Sequence, residues 1–298
     1  MSTEDKKGMS LIEKAAARMN KKPTRKAADA PRPAPVQQGA AERKQTDSDS
    51  GTHVDIDISL LKAKGFVTPD GERTNLAEEF RFIKRPLLAN AFGRGSTLVD
   101  HGNMIMVTSS TAGEGKTWTA INLAMSVAME MDKTVLLVDA DVGRAQIHKT
   151  LGTPLGPGLI DLLTDDDIDV GDVILHTSLP KLRVMPMGRF HPHANELLAG
   201  QDMLRLTQEL ATRYSDRVVI FDSPPLLMTN EAVVLAGLMG QIVFVVESEK
   251  TSQGSVKEAL SLLDTTKPIG LVLNKANQQM GGDYYGYGNY GYSESHDA

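Results

Sequence analysis

The chain has 298 residues, enough to bury one large core or two small ones, and its net charge of −6 argues against a generally basic, nucleic-acid-binding surface. It contains no cysteine, which excludes disulfides, thiolate metal sites and a cysteine nucleophile. No run approaches the roughly 18 apolar residues of a membrane span, and "MSTEDKKGMSLIEKAAARMNKKP" lacks a secretory signal, so the expectation is a cytoplasmic protein whose membrane contact is peripheral or through a partner.

Residues 1–52 mix Pro, Ala, Lys and acidic side chains with few bulky apolar ones, the composition of a disordered arm. Within it, Leu11, Ile12, Ala15, Ala16 and Met19 fall at helical spacing and predict one short amphipathic helix. The arm is net basic, which fits a solvated tether better than a lipid-binding element. Residues 53–95 read as a linker followed by a helix over "NLAEEFRFIKRPLLANAF", interrupted near Pro86, which lacks a backbone donor.

From residue 96 to 276, apolar runs alternate with helical patterns. "NMIMVTSS", "TVLLVDAD", "KLRVMPMG", "RVVIFDSPP", "QIVFVVES" and "PIGLVLNKA" read as strands, with helices such as "TAINLAMSVAMEM" and "ANELLAGQDMLRLTQELATRY" between them. Continuous Val/Ile/Leu runs imply strands buried on both faces, hence an α/β fold with a mainly parallel central sheet flanked by helices. Ligands in such sheets sit at the carboxyl ends of the strands.

The first of these strands runs into "SSTAGEGKTWTAINLA", a strand–loop–helix transition. Gly113, Gly115, Lys116 and Thr117 supply the later half of a P-loop, in which glycines let successive N–H groups turn toward an anion and the helix N-terminus adds its positive dipole end. Lys116 would reach the β/γ-phosphates and the Thr117 hydroxyl a Mg²⁺ ion. Ser110, Thr111, Ala112, Glu114 and Trp118 complete the expected ATP-binding stretch, with Ser110 where the pattern has its first glycine. Trp118 reads as packing rather than substrate stacking.

Two further strands end in carboxylates: "VLLVDAD" in Asp139 and Asp141, "VIFDSPP" in Asp222. A carboxylate there is costly to desolvate without a compensating cation or donor. Asp222 has the place of a Walker-B aspartate. Asp139 and Asp141, two residues apart, face one way in extended backbone; one could assist the metal and one accept a hydroxyl proton. Helix caps are the plainer role for any one of the three. Guanine readers carry "NKxD"; here "LVLNKAN" puts Asn277 in the aspartate's place, and an amide donor meets guanine's donors badly. ATP is the better fit, with Asn274 near the adenine.

The set "SSTAGEGKT", "VLLVDAD", "VIFDSPP" and a terminal tyrosine cluster resembles the bacterial tyrosine kinases, and more closely the tyrosine autokinases of exosortase-type exopolysaccharide loci. The resemblance covers roughly residues 75 to 292. It implies a P-loop fold that moves the γ-phosphate of ATP onto tyrosines of a neighbouring subunit's tail, a membrane chain-length regulator as activator, and control of polysaccharide polymerisation and export. It implies phosphate and Mg²⁺ binding by Lys116 and Thr117, a catalytic acidic motif at Asp139 and Asp141, and Asp222 in the magnesium shell. It also implies that Glu78, Arg81 and Lys84 build a ring between subunits. Two departures stand out: Gly143 occupies the arginine slot of "DxDxR", with Arg144 one later, and Lys84 replaces the helix motif's second arginine, losing its bidentate fork.

The tail, residues 277–298, holds Tyr284, Tyr285, Tyr287, Tyr290 and Tyr292, five of the six tyrosines in the chain. Read as phosphoacceptors on a Gly-rich segment, they lie up to about 60 Å from Asn274 at roughly 3.3 Å per residue, enough to reach a neighbouring site. Two rivals remain: a ParA/MinD-like switch ATPase, which carries a second lysine where this chain has Thr111, and an ATP-binding scaffold without kinase activity. His191 and His193 read as a surface loop, and Glu247 and Glu249 either line the nucleotide pocket or cap a helix.

Overall fold

The apolar runs become strands because each of their residues can be buried on one face or the other of a single sheet. The computed structural model describes residues 51–70, 74–93 and 98–276. The expected arm helix and the five tail tyrosines lie outside the described residues. In chain order the strands are β1 (His53–Val54), β2 (Met104–Ser109), β3 (Thr134–Asp139), β4 (Leu175–Thr177), β5 (Leu182–Met185), β6 (Arg217–Asp222), β7 (Gln241–Glu247) and β8 (Ile269–Asn274). They lie in the order β1-β4-β5-β3-β6-β2-β7-β8, parallel throughout except for the β4–β5 pair.

Side chains alternate between two apolar layers, as the two-residue period of a strand requires. Met104 and Met106 of β2 join Leu136 and Val138 of β3 in one layer, while Ile105 and Val107 join Val135 and Leu137 in the other. The second layer is covered by α1 (Ile58–Ala63), α2 (Asn75–Phe92), α3 (Lys116–Ala128) and α4 (Ile147–Leu151). The first is covered by α5 (Leu159–Leu162), α6 (Ala194–Leu198), α7 (Gln201–Arg213), α8 (Asn230–Leu238) and α9 (Gln253–Ser261). This is the three-layer α/β architecture that the alternation of runs implies.

The structure departs from the sequence-based expectations at several points. The helix α2 runs through Pro86 without a break. Pro86 and Phe82 both sit on its exposed side, so the Phe82 carbonyl that loses its donor faces water, which makes the missing bond cheap. The long helical pattern at 194–214 divides in two, α6 ending at Leu198 and α7 starting after its N-cap Gly200. β8 is not buried on both faces: it is the last strand of the sheet, and Leu271 and Leu273 are 60% and 62% exposed.

Candidate functional site

Three adjacent strands, β3, β6 and β2, deliver their carboxyl ends to one place. Register pairs Asp139 with Asp222 across β3 and β6, and Asp222 with Val107 across β6 and β2. Two residues beyond Val107, β2 ends at Ser109 and the loop to α3 begins. Gly113 and Gly115 adopt φ values of 90° and 102° there, conformations that L side chains rarely reach. Gly115 is doubly constrained, because a Cβ would come within 2.0 Å of the Asn274 amide nitrogen. It is also the N-cap of α3, with no side-chain cap of its own, so the helix's first N–H groups are left for another acceptor.

Lys116 is the first residue of α3 and is buried, its Nζ 3.9 Å from Asp141 Oδ2. Asp141 also accepts at Oδ1 from the Arg144 amide at 3.1 Å, so the turn after β3 orients it. Asp139 accepts at Oδ2 from the Ile147 amide at 3.1 Å, leaving Oδ1 without a partner. Burial raises its pKa to about 7, the Ile147 amide opposing and the Asp141 charge adding to the rise. Asp222 is fully buried and neither oxygen has a partner in full hydrogen-bond geometry, although the Thr117 hydroxyl is close enough to act on it. Burial first and then Asp139 push it well above the usual carboxylate range, against the pull of the Thr117 hydroxyl and the Lys116 ammonium.

Buried carboxylate oxygens without donors are incomplete by themselves. Their oxygens, beside a lysine and a threonine hydroxyl, suit a divalent cation that completes its shell with phosphate oxygens. Among the described residues no cluster of three acidic or histidine groups forms a self-contained metal centre. A cavity of about 540 Å³ opens in front of the group, lined by Gly113, Lys116, Thr117, Asp141, Arg144 and Met228 among others. Ala112 and Trp118 line it too.

The remaining expected residues fall in several places. Ser110 is buried with its hydroxyl unpartnered, Thr111 is exposed, and Glu114 is buried beneath the loop. Trp118 packs against Phe66 and Phe80, with centroids 6.2 and 5.6 Å away. Asn274 donates to the Glu114 carbonyl at 2.9 Å and lines a second cavity, of about 840 Å³, with Gly115, Trp118, Phe80 and Lys275. Glu78 and Arg81 form an ion pair on the half-exposed side of α2. Lys84 does not extend that face. It is buried, donating to the Ser126 carbonyl and pairing with Glu130, each at 2.6 Å, because its long stem reaches across to the end of α3.

His191 and His193 stand on an exposed loop. Glu247 caps no helix, since Ser252 caps α9; it pairs with Lys250 and Lys275. Arg144, Asn195 and Met228 line the 540 Å³ cavity and carried no signal in the sequence beyond Arg144's place near the acidic motif.

The AAA domain family matches residues 102–276. The tyrosine-protein kinase CpsD of Streptococcus agalactiae is 30% identical over 191 residues, which cover 63% of this chain and 81% of that protein. EpsB of Ralstonia nicotianae is 31% identical over 188 residues, or 62% of this chain, and the match spans 24% of that longer protein. The crystal structure of the chimerical protein CapA2B2 aligns with a TM-score of 0.61 at 26% identity, covering 76% of this chain and 93% of that one. With the strand–loop–helix cradle and the carboxylates beside it, these matches make the chain a member of the bacterial tyrosine-protein kinases built on an AAA domain.

Proposed function

We propose that the protein is an autokinase that transfers the γ-phosphate of Mg-ATP to Tyr284, Tyr285, Tyr287, Tyr290 and Tyr292 of another copy's tail, and that this controls exopolysaccharide polymerisation and export. The observation that carries the reading is the convergence of buried Lys116, Asp139, Asp141 and Asp222 on one loop and helix N-terminus in front of an open cavity.

In this reading the loop amides and Lys116 hold the β- and γ-phosphates. Thr117, Asp141 and Asp222 would hold Mg²⁺, which supplies neutralisation of the charge developing on the phosphate oxygens. A tyrosine Oη enters the cavity in line with the γ-phosphorus. The new Oη–P bond forms as the bond to the β–γ bridging oxygen breaks, and ADP leaves with that electron pair. The phenolic proton passes to a carboxylate, Asp139 or Asp141. Asp141 is the one that lines the cavity, and Asp139, raised to about 7 by burial in the cation-free site, is its buried neighbour.

The named relatives support a kinase, and Thr111 in place of a second lysine counts against a switch ATPase. No helix among the described residues is long and apolar enough to cross a membrane. A membrane chain-length regulator acting in trans would therefore bring the kinase to the inner face of the membrane, with Glu78 and Arg81 at a contact between copies in a ring.

The deciding experiment incubates purified protein with Mg-ATP and maps phosphate by mass spectrometry. Phosphotyrosine at 284–292 that disappears in Lys116→Met is expected. Phosphate release without phosphotyrosine would make the protein a switch ATPase, and neither product, even with an activating partner, a scaffold. Mixing full-length Lys116→Met with active protein lacking residues 277–298 separates transfer between copies from transfer within one.

A further inference from the structure

The loop Ser110–Gly115 is held from behind by the ends of the two neighbouring strands, β7 and β8. Lys275, one residue past β8, donates its ammonium to the Gly113 carbonyl at 2.8 Å, and Asn274 donates to the next carbonyl, Glu114, at 2.9 Å. The buried Glu114 side chain accepts from the Thr111 amide at 2.7 Å and from the Thr251 hydroxyl, which lies beyond the end of β7. Glu247, the last residue of β7, anchors Lys275 at 3.1 Å and Lys250 at 3.2 Å. Those two ammonium groups, Lys275 foremost, hold its carboxyl below the usual range and keep it charged.

We infer that Lys275 and Glu114 are positioning residues, which fix the shape of the phosphate loop and strengthen its amides as donors to a polyphosphate. In a trans peptide the C=O and N–H point in opposite directions. A loop carbonyl turned back onto Lys275 or Asn274 therefore turns the following N–H, of Glu114 or Gly115, toward the other side. A cation on the carbonyl polarises that peptide and makes its N–H a better donor. The backbone records the cost of this arrangement. Among the described residues only three non-glycine residues have positive φ, and two of them are Lys275 at 57° and Glu249 at 62°, one in each bracing loop. Such conformations are unfavourable for residues with a Cβ and persist where surrounding contacts impose them.

The inference rests on the reading of this loop as the phosphate cradle, and the test separates the two. ATP affinity is measured by displacement of a fluorescent nucleotide, alongside the melting temperature of the nucleotide-free protein. Wild type is compared with Lys116→Met, Lys275→Met, Lys275→Arg and Glu247→Gln. Lys275→Met is expected to weaken ATP about tenfold with the melting temperature little changed, and Lys275→Arg to recover most of the loss. Adding Glu247→Gln to Lys275→Met should cost little more, because Glu247 acts through the lysine. Unchanged ATP affinity in Lys275→Met, or a loss that Lys275→Arg does not repair, overturns the brace while Lys116→Met still shows the cradle. Unchanged affinity in Lys116→Met overturns the cradle and the brace with it.

Discussion

Asp139 and Asp222 are register partners on adjacent parallel strands, both buried, with three of their four carboxylate oxygens lacking a hydrogen bond. Two like charges so placed repel, and burial disfavours both. Without a cation the pair therefore holds a proton more tightly than an ordinary carboxylate would.

The sign of the pH dependence follows. A carboxyl whose folded pKa lies near 7 binds a proton that the unfolded chain, titrating near 4, has already lost. Asp139's contribution to the stability of the nucleotide- and magnesium-free protein is therefore greatest below about pH 4 and falls as pH rises toward 7, and Asp222, raised in the same direction, adds to that fall. Melting curves between pH 5 and 8 should show wild type losing stability with rising pH more steeply than Asp222→Asn. Equal slopes would mean that the two carboxylates are not coupled.

Gly115→Ala places a Cβ where φ is 102° and the Asn274 amide nitrogen lies 2.0 Å away. The left-handed backbone alone costs roughly 1–2 kcal/mol, and Asn274 cannot yield without giving up the Glu114 carbonyl. Urea unfolding should register that loss, and ATP binding should fall with it. A variant that binds ATP like wild type would show that the loop tolerates rearrangement.

Lys116→Met is expected to reduce tail phosphorylation roughly a hundredfold or more, as loss of a group that meets developing phosphate charge does. Phosphotyrosine quantified at equal protein concentration provides the check. A residual rate within a few-fold of wild type would remove Lys116 from the chemistry.

Lys84→Met leaves the Ser126 carbonyl and the Glu130 carboxylate without their cation. Breaking that contact should lower stability by about 2–3 kcal/mol. Glu130 is partly exposed, so Glu130→Gln should cost much less. Chemical denaturation of both variants gives the comparison, and a neutral Lys84→Met would return the residue to a role on the surface.

Much of the candidate site was legible because its signals are local. Gly113, Gly115 and Lys116 lie within four residues, and Asp139 and Asp222 each close an apolar run whose burial they share. The β-strands at 53–54 and 175–177 were not legible, being short and carrying His53, His176 and Thr177 in place of an apolar run. Pro86 misled because its cost depends on which side of the helix meets water. Lys84 misled because spacing places it beside Arg81, whereas burial is decided by α3. The bracing contacts of Glu114 with Thr251, and of Lys275 with Gly113, join residues 137 and 162 positions apart, so no local pattern announces them.

The burial of Lys84 has a mechanical consequence. The helix that begins with Lys116 is clasped near its far end, at Ser126 about 15 Å away at 1.5 Å per residue, by a side chain of α2. A load on the outer side of α2, where Glu78 and Arg81 sit, would thus be delivered along a stiff rod to Lys116. Docking of anything against that helix and occupancy by nucleotide would each feel the other, with no contact between them.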